Sequence, residues 1–495
     1  MEPISVAEIV ASSGGRLEAG DGSSVVSGVC TDTRRLRRGE LFVAIEGARF
    51  NGHDYIAEAV AKGCRAVVYA RPLAGGDAAA CGARGVSLVR VRDTLRALGL
   101  IARGYRRRFD LPLVAVTGSN GKTTTKEMIR AIASSRFTVH ANEGTFNNFV
   151  GVPMTIFGLE ARHTLAVLEL GMNARGEIRK LAEIADPRVG VVTSVGPAHI
   201  EFLGTLEGVA AAKGELLAAM AARGGGPGRT AVLNLDDPRV AAMAAGASRA
   251  GIEVRTFGRA EGADVRAEEV RQGRRGIRFL MRLGGSGRAA RVTLPVFGVH
   301  NVSNALAAAA VCEALGLGAE EIAEGLRAVR MPPMRMETLI RGGVTVINDA
   351  YNANPASMAA AIETLGAVAT AGRRILVIGD MLELGGASEG AHRDAGTLAA
   401  RLGIDRLIAV GPLGAFAADA AESSGLPPGA VTRCAGAREA GEVLRAEARK
   451  GDCVLLKASR GVGLEMALEG WGRGAKGSAG GRRRGGRCST TCCIL

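Results

Sequence analysis

Lys122, Thr123, Glu169, His199 and Lys213 are the side chains whose types and spacing point most directly to chemistry. The first two stand in LVAVTGSNGKTTTKEMI, Leu113 to Ile129, where a short apolar run meets Gly118, Asn120-Gly121 and Lys122-Thr123 at once. Strand, glycine-rich loop and helix in that order aim loop amides and the positive end of a helix at one phosphate chain. Gly118, Ser119, Asn120, Gly121 and Thr124 would line that chain, and Lys122 would neutralise its oxygens. The Thr123 hydroxyl would ligate Mg²⁺. The loop is shorter than the full Walker A pattern, because Val116 stands where that pattern wants its first glycine. What remains is G-x-x-G-K-T. The bland alternative is a tight glycine turn carrying a solvated lysine.

Glu169 closes the apolar run TLAVLELG, His199 follows VVTSVGPAH, and Lys213 lies one helix further on in VAAAKGELL. In parallel α/β sheets, active sites gather at the carboxyl ends of strands. A carboxylate on a neighbouring strand end is what a second Mg²⁺ ligand beside Thr123 requires, since hard cations take oxygen ligands. Taken singly, Glu169 reads as a cap or surface acid and His199 as a structural histidine. Their shared position relative to one phosphate loop favours the functional reading.

Positioning these groups requires a large scaffold, and the composition supplies one. The 495 residues suffice for about three domains of ordinary size. Apolar residues make up 47% but aromatics only 3%, so the cores must be built from Ala, Val and Leu. The net charge is +14; the last 23 residues hold six Lys and Arg and no acid, leaving +8 on the body. That balance suits an anionic substrate and does not require nucleic acid, and the interleaved aromatics of single-strand binders are missing. None of the six cysteines before residue 473 forms a CxxC pair, so reduced, buried thiols are expected rather than zinc or disulfides. The N-terminal residues lack the pattern of a signal peptide, and no apolar run reaches membrane-spanning length. A soluble, cytoplasmic, monomeric protein is expected.

Residues 1 to about 105 read as a small α/β domain in which Asp32, Thr33 and Arg34 directly follow a strand, where a capped turn is the favoured local reading and a ligand site the alternative. The region from about 106 to 334 alternates strands and helices, implying a mainly parallel sheet covered on both faces. Within it, GVHNVSNALAAAAV is a helix whose Asn301 or Asn304 could read a base edge or cap a turn. Pro332-Pro333 ends this region, and residues 335 to about 472 form a third α/β unit. Its first strand leads into NDAYNANPASM, its second into GDMLELGGASEGAH, and its last into KASRGVGLEMAL, where Lys457, Ser459 and Arg460 precede an expected helix N-terminus. The Gly/Arg-rich segment 473–495 reads as disordered.

TGSNGKTTTKEM, NEGTFNNFVGVPMT, LELGMNARGEI, AHIEFLG, AAKGELL, NLDD, HNVSNALAA, DAYNANPASM, GDMLELG and KASRGVGLE occur in the order seen in the Mur ligases, which the chain resembles from about residue 25 to 470. The resemblance implies three domains: an N-terminal UDP-sugar domain, a central P-loop-type ATP domain, and a Rossmann-like C-terminal domain. The last would close over ATP and help to bind a dipeptide. It also implies an ATP-dependent amide ligase of peptidoglycan precursor synthesis, and so of cell-wall biogenesis, cell shape and division. NANPASM and NNxxGVPMT favour the member that adds D-alanyl-D-alanine to UDP-N-acetylmuramoyl-tripeptide. A paralogous Mur ligase or a folylpolyglutamate synthetase-like enzyme with another acceptor is the alternative.

By the same resemblance, Lys122 contacts phosphates, and Thr123 with Glu169 holds one Mg²⁺. His199 with Glu169 holds a second, and Lys213 occupies a position that is carbamylated in several relatives. Asn304 would face adenine, Arg335 the phosphates and Asp349 the ribose. Asp32, Thr33, Arg34, Asn147 and Asn148 would meet the UDP-sugar-peptide, with Lys457, Ser459 and Arg460 on the third domain. The Cys492-Cys493-Ile494-Leu495 end formally fits a prenylation box. Behind a peptidoglycan enzyme it reads instead as an extension without function.

Overall fold

Apolar runs too short for helices, bounded by glycine turns, become the inner strands of three α/β sheets. A computed structural model describes residues 1–47, 50–73, 75–144, 146–197, 203–222, 228–273, 276–284 and 287–472. His199 and the segment 473–495 therefore lie outside the described residues.

Among these residues the largest sheet has nine strands, in the order Arg288–Leu294, Gly276–Leu283, Val265–Gly273, Glu253–Gly258, Thr230–Asn234, Val189–Val192, Leu113–Thr117, Leu165–Glu169 and Val139–Ala141. Pairing is parallel from Val139–Ala141 through to Val265–Gly273, and antiparallel over the remaining two pairs. Leu113–Thr117, Leu165–Glu169, Val189–Val192 and Thr230–Asn234 are buried at every residue. Continuous burial of this kind follows from helices on both faces of a parallel sheet. Alternate residues separate cleanly: Leu113 and Ala115 join a core with the helices Glu177–Ala185 and Leu206–Ala222. Val114 and Val116 join the opposite core, with Lys122–Ala133, His300–Ala314 and Ala319–Arg327.

The order of the strands puts the phosphate loop at its most useful place. After Leu113–Thr117 the chain moves to Val139–Ala141 and Leu165–Glu169 on one side, then crosses to Val189–Val192 on the other. That reversal opens a crevice at the carboxyl end of Leu113–Thr117, where Gly118 begins the loop.

The N-terminal unit carries a five-stranded sheet, Arg16–Ala19, Ser87–Arg90, Ala66–Tyr69, Leu41–Val43 and Val29–Cys30, antiparallel only in its first pair. Its core runs on into the central one through the helix Thr94–Arg106. The C-terminal unit has six strands, Glu337–Arg341, Val344–Asn348, Cys453–Lys457, Arg374–Gly379, Arg406–Val410 and Val431–Cys434, again antiparallel only in the first pair. The six cysteines among the described residues are free and buried, and no helix there is long and apolar enough to cross a membrane.

Two features depart from the sequence reading. The antiparallel strands between Val265 and Leu294 alternate buried and exposed positions, with arginines facing out, and so lack the apolar run of their parallel neighbours. After Ser459 the chain forms short 3₁₀ turns, Arg460–Val462 and Leu464–Leu468, instead of the expected α-helix. Gly463, in the left-handed region at φ 64°, separates them.

Candidate active site

The phosphate loop is fixed by two glycines that no other residue could replace. Gly118 and Gly121 have φ of 144° and 83°, and a Cβ would lie 1.9 Å from Thr193 Oγ1 and 2.1 Å from Asn304 Oδ1 respectively. The loop is tied to the neighbouring strand end: Ser119 N–H donates to the Ser194 carbonyl at 2.8 Å, and Thr193 Oγ1 donates to the Asn120 carbonyl at 2.5 Å. Gly121 caps the helix Lys122–Ala133 without a side-chain bond, so the first-turn amides are left for an anion. Lys122 Nζ donates to the carbonyls of Gly118 at 2.8 Å and Ser119 at 3.3 Å. Burial lowers its pKa; Glu169 opposes that shift and the nearby Arg335 adds to it.

Glu169 is 1% exposed, and both its oxygens are engaged. Thr123 Oγ1 donates to Oε2 at 2.5 Å, and Asn147 Nδ2 donates to Oε1 at 2.7 Å. A buried hydroxyl and carboxylate one strand apart, beside an anion cradle, fit Mg²⁺, which takes few protein oxygens and completes its shell with phosphate and water. Among the described residues no cluster of three or more His, Cys, Asp or Glu could hold a metal. Lys213 lies on the helix Leu206–Ala222 at 1% exposure. Burial, then the charge of Lys122, drives its pKa well below that of ordinary lysine against the pull of Glu169 and Glu215.

The loop opens on a cavity of about 570 Å³ whose other wall comes from the C-terminal unit. Arg335 enters it, held 4.1 Å above the ring of Tyr351, and Met334 and Met336 on either side have φ of 60° and 50°. Left-handed backbone at such residues costs about 1–2 kcal/mol each. Local bonds hold it: Asp349 Oδ1 accepts from Met336 N–H at 3.0 Å, and Glu337 Oε2 from Met334 N–H at 3.1 Å. The other Asp349 oxygen pairs with Lys457 Nζ at 2.6 Å. Asn354 Nδ2 reaches across to Asn120 Oδ1 at 3.0 Å, joining the third unit to the phosphate loop itself. Asn304 Nδ2 donates to Asn301 Oδ1 at 2.9 Å, and its Oδ1 accepts from Thr125 Oγ1 of the helix Lys122–Ala133 at 3.4 Å.

The cavity wall thus gathers Ser119 to Thr124, Asn147, Glu169, Asn304, Arg335, Asp349 and Lys457 from the sequence candidates. Lys457, a substrate candidate from the sequence, pairs with Asp349 in the same wall. Asn148 turns away to accept from Gly151 N–H at 2.8 Å. Ser459 accepts from Leu382 N–H at 2.9 Å, and Arg460 pairs with Glu465, so neither lines the cavity. Asp32 and Arg34 form an ion pair of 2.7 Å in the N-terminal unit, and the Thr33 carbonyl accepts from Lys62 at 2.8 Å. Sequence reasoning missed Tyr351 and Asn354, although both stand in the DAYNANPASM string. The Tyr351 ring is worth about 0.5–2 kcal/mol to Arg335 as a cation–π partner. Tyr351→Leu is expected to lower kcat/KM for ATP about fivefold, with Tyr351→Phe recovering most of the loss in steady-state assays.

A phosphate loop in one α/β unit, roofed by charged side chains of a second, defines a nucleoside-triphosphate-using enzyme whose site is completed where two units meet. Comparison with known proteins narrows the class. Family models described as "Mur ligase family, catalytic domain", "Mur ligase middle domain" and "Mur ligase, glutamate ligase domain" match residues 25–106, 116–312 and 334–460. The chain belongs to the Mur ligase family. It is 35% identical over 447 residues to the UDP-N-acetylmuramoyl-tripeptide--D-alanyl-D-alanine ligase of Bacillus subtilis (strain 168), covering 90% of this chain and 93% of that one. The crystal structure of MurF from Acinetobacter baumannii superposes with a TM-score of 0.83 at 30% identity, over 94% of this chain and 98% of that one. MurF ligase from Thermotoga maritima in complex with ADP gives a TM-score of 0.77 at 27% identity, over 89% and 96%.

Proposed function

We propose that this chain is the ATP-dependent ligase that joins D-alanyl-D-alanine to the terminal carboxylate of UDP-N-acetylmuramoyl-tripeptide, in peptidoglycan precursor synthesis. The observation that carries the reading is the Thr123–Glu169 pair beside Lys122, in a cavity roofed by Arg335 and Lys457 from the third unit. In this reading residues 1–105 hold the UDP-sugar through Asp32, Thr33 and Arg34, residues 106–334 hold ATP, and residues 335–472 close over it and help to bind the dipeptide. The enzyme acts as a cytoplasmic monomer.

A carboxylate is too poor an electrophile for an amine. The tripeptide carboxylate therefore attacks the γ-phosphorus of ATP, the bond to the β-phosphate oxygen breaks, and ADP leaves. The amine of D-alanyl-D-alanine attacks the acyl carbon of the resulting acyl phosphate. That step loses one proton and expels inorganic phosphate as the amide forms. Mg²⁺ at Thr123 and Glu169 supplies charge neutralisation to the phosphate oxygens when bound. Lys122 and Arg335 bring cationic donors to the same oxygens from opposite walls, and the first-turn amides of the helix Lys122–Ala133 hold them in place. Asn120 and Asn354 join those walls, and closure of the third unit over the cavity would keep water from the acyl phosphate. Burial lowers the pKa of the Lys213 amine and so favours the neutral form, which would take up CO₂ with loss of a proton. By the family resemblance, that carbamate would join Glu169 and His199 in holding a second Mg²⁺, which would add charge neutralisation at the phosphates.

Phosphate release from ATP tests the whole reading. Release is expected only with UDP-MurNAc-tripeptide, D-alanyl-D-alanine and Mg²⁺ together. Release that continues with either acceptor omitted, or a demand for a different amine, overturns it.

A further inference from the structure

Lys126 is fully buried, one helical turn beyond Lys122, and nothing in the nucleotide chemistry calls for it there. A buried ammonium carries a large desolvation penalty unless each of its protons finds an acceptor. Here three acceptors surround it: the Asn142 carbonyl in a short contact, the Gly144 carbonyl at 3.3 Å, and Glu127 Oε1 at 3.2 Å. Two of the three belong to the irregular segment that follows strand Val139–Ala141 and carries Asn142 and Asn147. The lysine therefore pins a loop, and that loop grips Glu169.

The grip is built from the sheet. Strand Val139–Ala141 pairs in parallel with Leu165–Glu169, and its last pair is Ala141 with Val167. The backbone then leaves the ladder, and the Asn142 side chain continues it. Asn142 Oδ1 accepts from Glu169 N–H at 3.0 Å, and its Nδ2 donates to the Glu169 carbonyl at 3.3 Å and to the Phe146 carbonyl at 2.9 Å. Asn142 is 1% exposed, so these bonds are shielded from competing water. Further along the same segment, Asn147 holds the Glu169 carboxylate through Oε1 at 2.7 Å and accepts from Gly171 N–H through its own carbonyl at 2.9 Å. Glu169 is thus fixed at its backbone by Asn142 and at its carboxylate by Asn147, with Lys126 tying down the loop that supplies both.

We infer that Lys126 and Asn142 are positioning residues that orient the Glu169 carboxylate toward Thr123 through residues 142–144, 146 and 147. The inference rests on the ligase reading for the role of the metal in turnover, while its readouts, metal affinity and hydrogen exchange, require no turnover. Three variants test it: Lys126→Met, Asn142→Ala and the pair together. Mn²⁺ binding to the ADP complex, followed by electron paramagnetic resonance, is expected to weaken about 10–100-fold in each single variant, as loss of a ligand's supporting bonds does. Affinity for ADP without metal is expected to stay within about threefold, since the Gly118–Lys122 loop is untouched. Hydrogen exchange at residues 146–147 and 169–171 is expected to speed up in both. Because one relay is broken at two points, the double variant should be no worse than the poorer single one. Asn142→Ala removes no buried charge and keeps the proposal testable if Lys126→Met folds poorly, and Lys126→Arg, which keeps the cation, should lie closer to wild type. Unchanged Mn²⁺ affinity and unchanged exchange at Glu169, with only a lowered Tm, would overturn the inference, as would additive losses in the double variant. A wild-type chain that releases no phosphate would sink the ligase reading while leaving the exchange and Mn²⁺ results to decide this one.

Discussion

Lys122→Met is expected to lower ATP-dependent phosphate release about 1,000-fold or more, a loss of about 4 kcal/mol of transition-state stabilisation. The ammonium sits 2.8 Å from the Gly118 carbonyl at the mouth of an uncapped helix, where transferring charge gathers in the reaction. Methionine matches the stem and removes only the cation and its donors, so the helix and the two glycine turns should be retained. Lys122→Arg is not expected to rescue. The loop is closed in by Thr193 and Asn304, which already sit where a Cβ at Gly118 or Gly121 would go. A planar guanidinium has no room to replace a compact ammonium there. Stopped-flow phosphate release, with Tm as the folding control, is the measurement. A variant that keeps more than a tenth of wild-type turnover would remove Lys122 from the chemistry.

Much of this site was legible before any fold was known, for an identifiable reason. Gly118, Gly121, Lys122 and Thr123 lie within six residues, and their work depends on local backbone geometry that neighbours in sequence determine. Glu169 was legible because it closes an apolar run at a strand end beside the phosphate loop, where a second Mg²⁺ ligand next to Thr123 would stand. Buried parallel strands read as unbroken apolar runs, so the inner strands of the central sheet could be located. The antiparallel strands from Val265 to Leu294 could not, since their alternating arginines resemble a solvated surface. Lys126 escaped for the opposite reason. A lysine in a helix reads as solvent-facing, and only the packing of a distant loop reveals acceptors for two of its three protons. Asn354 and Tyr351 meet the phosphate loop and Arg335 through contacts that close only when two units are brought together. No local pattern encodes such a contact. Ser459 and Arg460, expected with the substrate on the third unit, bond within that unit in this structure, Ser459 with Leu382 and Arg460 with Glu465.

Lys213 separates activity from stability more sharply than any other position. Burial takes its pKa well below the ordinary lysine value, and Lys122 pushes in the same direction. The unfolded chain takes up this proton at the ordinary value, the folded chain only at a lower pH. Between the two the unfolded state holds the extra proton, so stability rises with pH across that window, and the penalty is complete below the folded value. An amine kept at such a position is a burden on the fold, and a neutral apolar replacement should relieve it. Lys213→Met is therefore expected to leave Tm at pH 7 undiminished while phosphate release falls about 100-fold or more. Lys213→Ala is expected to lose as much activity and also some stability, because truncating a buried chain leaves a cavity. That cavity makes the chemistry testable. Acetate or another short carboxylate can enter it and restore the anionic oxygens that a carbamate would present, so partial recovery is expected in Lys213→Ala and none in Lys213→Met. Intact-mass and ¹³CO₂ NMR measurements on the wild-type protein should find one labile carbamate, absent from both variants. Full activity in unrescued Lys213→Ala would leave the residue with no part in the reaction.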